Sequence, residues 1–185
     1  MDNPAPAPDS HVREEVEVAI PTGRQVAVRT LPAAALVVIG VPAIVWLVVD
    51  ASGQTTTRWL PVLVIALLGL SALVMHFVQA PRPSPHKRIS TREVQGALSY
   101  THRSGTVPTD PHVRTVAGVY ACADVETLVM IAAFLVGGVL AALMRPEFAW
   151  LDAGILPVAM ALIWAFKSRH GWAYLKVLHS ISRAD

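Results

Sequence analysis

Histidine 76 and the carboxylates Asp124 and Glu126 are the residues best suited to chemistry, because each lies at the margin of an apolar run. Ionisable groups at that depth are costly and tend to mark proton or cation paths, so the three form a candidate ion or proton site. Cys122 and Glu126 are four apart and share a helical face. His86, His102 and His112 lie nearby in polar sequence without the close spacing of a zinc ribbon or a His-x-x-x-His pair. No metal site is expected. The chain also lacks a Gly-rich phosphate loop, a Gly-x-Ser-x-Gly elbow and a His-Glu-x-x-His helix. It therefore reads as a non-enzyme, with no catalytic residue and no cofactor.

The elements that would position these groups are membrane spans. Of 185 residues, 54% are hydrophobic and 15% charged, against about a quarter charged in soluble domains. Leu31 to Val49, Trp59 to Val78, Leu128 to Met144 and Phe148 to Phe166 are apolar runs, each near the ~20 residues that cross a bilayer. The predicted fold is an all-α integral membrane protein with four transmembrane helices arranged as two hairpins, 31–79 and 125–166. The span centres are aliphatic, with Ser71 as the main polar exception, which argues against a private pore.

Basic residues set the orientation. Thirteen Lys and Arg fall on the side shared by the N-terminus, the insert at 80–124 and the C-terminus; only Arg58 and Arg145 fall on the other. The positive-inside rule then puts both termini in the cytoplasm of a cell whose inner membrane holds the chain. Trp46, Trp59 and Trp150 mark the outer interface, and Trp164 and Trp172 the inner one. The single cysteine excludes an intramolecular disulfide. The positive inner segments would attract anionic lipid headgroups; topogenesis explains the charge without nucleic acid.

Between and around the spans the sequence predicts smaller elements. Residues 1–30 form a cytoplasmic tail in which Val16, Val18 and Ile20, the turn at Pro21 to Gly23, and Val26 and Val28 alternate like a small β-hairpin. Pro42 and Pro157 should kink the first and fourth spans. In the insert, Ser90 and Glu93 match a capping box, Gly105 and Pro108 end that helix, and Thr109, Asp110 and Pro111 start another. Val113, Val116, Ala117 and Tyr120 give the second helix an apolar stripe that can run on into the third span. The result is a cytoplasmic helical hairpin. Trp172, Leu175, Leu178 and Ile181 beside Lys176 predict an interfacial helix over 167–185.

The stretch Gly105 to Arg114, Gly-x-x-Pro-x-Asp-Pro-x-Val-Arg, followed by an Ala-rich helix, resembles a pattern in uncharacterised small multi-pass membrane proteins of actinobacteria. The preference for Arg over Lys is similar to that of GC-rich genomes. No activity is implied.

In the third span, Ala133, Gly137 and Ala141, with Gly138 and Ala142, form a small-residue helix-packing face. It would meet either the fourth span or another subunit. Taken together, these surfaces suggest a non-catalytic accessory or scaffolding subunit that docks a membrane protein partner or self-associates. Val113, Val116, Tyr120, Trp172, Leu175 and Lys176 are the candidate docking or lipid contacts. The alternative is a small transporter or proton- or cation-coupled channel subunit using His76, Asp124 and Glu126.

Overall fold

The computed structural model describes residues 20–55, 58–79 and 89–181. Over these the chain forms α1 Gly23–Val48, α2 Leu60–Val78, α3 Thr91–Ser104, α4 Pro111–Met144 and α5 Trp150–Ile181. It divides into an apolar unit, residues 24–79 with 124–169, and a polar unit, residues 1–23, 80–123 and 170–185. Among the described residues, α1, α2 and α4 are long and apolar enough to cross a membrane.

The expected N-terminal β-hairpin is not present where its second strand can be checked. Val26 and Val28 lie in the first turns of α1, and Val16 and Val18 fall outside the described residues. Two valines two apart fit either period; the longer pattern decides. Val26, Thr30, Ala33, Ala34 and Val37 are buried at helical spacing, while Val28 is 55% exposed, so the inward face is that of a helix. Thr30 supports the same geometry by donating its hydroxyl to the Val26 carbonyl at 2.9 Å. Both Pro32 and Pro42 are accommodated within the one helix.

Inside the apolar unit the small-residue face has a definite partner. A Cβ at Gly137 would lie 3.1 Å from the Val37 carbonyl oxygen and 3.2 Å from Val41 Cβ. Ala133 packs with Ala34 and Val37, and Ala141 with Val45 and Val49. Ala133, Gly137 and Ala141 thus seat α1 within one chain, not the run expected as a fourth span. Gly138 has nothing within 4 Å of its Cβ position, and Ala142 is half-buried. Elsewhere on α1, Gly40 admits the Leu67 side chain of α2. Close backbone approach at glycines gives dispersion contacts that lipid cannot outcompete.

The connections of this unit are locally hydrogen-bonded. Asp50 Oδ1 accepts from the Ser52 and Gln54 amides, each at 2.9 Å, and from the Ser52 hydroxyl at 2.7 Å. These bonds lower the Asp50 pKa, the Ser52 side chain contributing most. Gly53, at φ 79°, leaves no room for a Cβ beside the Glu147 carbonyl. Between α4 and α5 the Trp150 indole donates to the Arg145 carbonyl at 2.8 Å.

In the polar unit, the Ser90 hydroxyl accepts from the Glu93 amide at 3.3 Å and starts α3; Gly105, at φ 68°, ends it. The next helix begins one residue later than the sequence predicts. Asp110, not Thr109, is the cap: its carboxylate accepts from the His112 amide at 2.8 Å, and its carbonyl accepts from the Arg114 amide. Pro111 is then the first helical residue, where its missing N–H costs nothing. The separate interfacial helix expected over 167–185 is instead the second half of α5, which passes Phe166 without a break. Its apolar side is used by protein: Tyr174, Leu175 and Leu178 are buried, and the Tyr174 hydroxyl donates to the Arg114 carbonyl at 3.1 Å. The residues that lead into α1 pack within this unit. Ile20 fills the space beside Gly118, its carbonyl lies 3.1 Å from His179 Nε2, and Trp172 packs on Gly23.

Candidate functional site

The three residues of the candidate ion site have different surroundings. Glu126 is buried, 6% exposed, and its Oε2 accepts from the Gln79 side-chain amide at 3.1 Å. Asp124 is half-buried. His76 is exposed, its ring lying edge-on to Phe77. Among the described residues no group of three or more His, Cys, Asp or Glu is placed to hold a metal ion. Cys122 is buried within the polar unit. Ser71, the polar residue at mid-span, donates to the Leu67 carbonyl at 2.8 Å and is fully buried, so its hydroxyl is spent on its own helix.

The polar unit carries a different kind of site. One face of α3, at Glu93, Gly96, Ala97 and Tyr100, the loop from Thr106 to Asp110, and Val113 line an open groove of about 550 Å³. Its form follows from the sequence. Gly96 and Ala97 keep the α3 wall low, the left-handed Gly105 reverses the chain, and Pro108 holds the opposite wall. The Arg114 guanidinium fixes that wall by donating from Nε to the Pro108 carbonyl at 3.2 Å. Tyr100 is 58% exposed and presents an aromatic face with a polar tip. Such a groove suits an apolar side chain, with Glu93 and Asp110 favouring positive charge beside it.

The candidate docking residues divide accordingly. Val113 lines the groove. Val116 and Leu175 are buried, 4% and 1% exposed, so they stabilise the unit and offer no surface. Tyr120, Trp172 and Lys176 are exposed. Sequence reading placed the apolar stripes but missed Tyr100, Gly96 and Pro108 as one surface. The available signal was the pairing of small residues on one α3 face with an aromatic one turn on, opposite a proline.

The chain matches no protein-family model, no curated protein and no solved structure. No family match stands beside the resemblance drawn from Gly105 to Arg114; in this chain Thr106 to Asp110 line the groove and Pro111 starts α4.

Proposed function

We propose that the chain is a four-span inner-membrane subunit with cytoplasmic termini that docks a partner through the groove of its polar unit. The observation that carries this reading is the groove itself, built by α3 and the α3–α4 loop with Tyr100 left exposed above small residues. The fourth crossing is the first half of α5. There Leu151, Ile155, Ile163 and Phe166 are more than 60% exposed, an arrangement suited to acyl chains and unfavourable in water. Lys167, Arg169 and Lys176 follow at the cytoplasmic end, where anionic headgroups would meet them. A photo-crosslinking residue at Tyr100 should trap a stoichiometric partner in native membranes, whereas one at Gln95, exposed but outside the groove, should not. Equal adducts from both positions, or none, would overturn the docking reading.

A second reading is supported by Glu126, since a buried carboxylate at the inner end of a span suits proton or cation coupling. Glu126→Gln keeps the shape of the side chain and removes its charge. It should abolish a flux if this reading holds and leave partner docking intact if the first one does.

A further inference from the structure

We infer that α5 carries binding positions for the phosphate of anionic phospholipids, built from two cation–aromatic pairs, Lys167 with Trp164 and Arg169 with Phe166. The inference deepens the proposed function and rests on its premise that the first half of α5 crosses the bilayer. Lys167 Nζ lies 4.9 Å from the centroid of the Trp164 ring, and Arg169 Cζ lies 5.2 Å from that of Phe166. Each cation thus reaches three residues back along its own helix. In a helix that enters from the outer side, back along the chain is toward the hydrocarbon. A basic residue at the end of a span ordinarily snorkels the other way and carries its charge into water. Here both cations are held at the depth of the rings, and interfacial Trp rings sit at the level of the headgroups.

The surface beside each cation fits the rest of a lipid. Trp164 is 43% exposed, and Ile163 and Phe166 more than 60%, so acyl chains lying along them would bring their phosphate to the ammonium or the guanidinium. Lys167 and Arg169 are exposed and two residues apart, which on a helix puts them on opposite flanks and gives one headgroup position to each. Lysine offers a point charge and arginine a planar fork that matches phosphate oxygens. A zwitterionic headgroup offsets its phosphate with its own ammonium, so the preference is for lipids of net negative charge. Packing of each cation on its ring for its own sake is the competing account, and it requires no lipid preference.

The test uses the full chain in non-ionic micelles containing equimolar phosphatidylglycerol and phosphatidylcholine, with native mass spectrometry reading the ratio of the two lipids retained. The expected result is an excess of phosphatidylglycerol that inorganic phosphate does not displace. Lys167→Gln and Arg169→Gln should each lower the ratio by about fivefold, the scale of one basic residue at an anionic surface. Arg58→Gln, exposed before α2, should leave it unchanged. Phe166→Leu keeps Arg169 and an apolar surface but removes the ring, and should lower the ratio by about threefold. Equal retention of the two lipids, a ratio that survives either Gln substitution or Phe166→Leu, equal loss in Arg58→Gln, or displacement by inorganic phosphate would each overturn the site. Thiol labelling of Ser180→Cys reports the crossing separately. A cytoplasmic label without lipid preference removes this site and leaves the four-span reading standing; an outer label removes both.

Discussion

At Gly137 the space for a side chain is already taken, since even a methyl would meet the Val37 carbonyl at 3.1 Å. Gly137→Leu must push α1 off its seat, and overpacking of this kind costs about 1–3 kcal/mol. Gly138→Leu, one residue on with open space around it, is expected to be tolerated; unfolding in micelles of both variants checks the contrast. Thr101 makes the opposite case. Its hydroxyl is fully buried with no hydrogen-bond partner, and an unsatisfied buried hydroxyl costs about 1–3 kcal/mol. Thr101→Val, equal in shape, should therefore stabilise the chain by about 1 kcal/mol and raise the Tm. Asp50 adds a dependence on pH. Because hydrogen bonds from Ser52 and Gln54 lower its pKa below 3.8, the turn is supported above that value and loses support as pH falls through the lowered pKa. The Ser52 and Gln54 amide resonances should report that titration, and an apparent pKa at or above 3.8 would contradict it. The packing role of Gly137 was legible in the small-residue spacing and the Asp50 turn is local, but the partner that meets Gly137 and the unmet hydroxyl of Thr101 depend on which neighbour arrives.

Elements were more legible where a local rule was sufficient. Ser90 with Glu93 marked the start of α3 and Gly105 its end, because caps satisfy backbone groups within the same few residues. Gly105→Ala should cost about 1 kcal/mol, since φ 68° is natural for Gly and strained for Ala; a loss of helicity confined to α3 on mild heating would show it. Legibility failed where the deciding information lay further along. Val26 and Val28 fitted a strand until the burial of Thr30 through Val37 fixed the period. Trp172 to Leu178 fitted a helix on lipid, but protein buries Leu175 and Leu178, and amphipathic spacing alone does not distinguish lipid from protein. The groove was hidden for a related reason. Gly96, Tyr100 and Pro108 belong to two segments whose juxtaposition is set by the turn at Gly105.

For the molecule as a whole, the apolar class was plain from composition, while the number and direction of crossings rest on charge asymmetry and exposure. Those two arguments yield one prediction that tests both. If α1, α2, α4 and the first half of α5 cross the bilayer with both termini in the cytoplasm, Ser52 lies outside and Ser104 inside. Each is exposed, in the α1–α2 connection and at the end of α3 respectively. In a Cys122→Ser background, which removes the only native thiol, Ser52→Cys should react with a membrane-impermeant maleimide in intact cells. Ser104→Cys should react only after permeabilisation. The reverse pattern would invert the protein and place the groove outside, where no cytoplasmic partner could reach it. A third cysteine, at Ser180 in the exposed end of α5, counts the crossings. With four spans it labels like Ser104; with three it labels like Ser52, because α5 would then leave the chain on the outer side. The basic residues of Lys167 to Lys176 weigh for the first outcome, since an outer location would strand them away from the leaflet that attracts them.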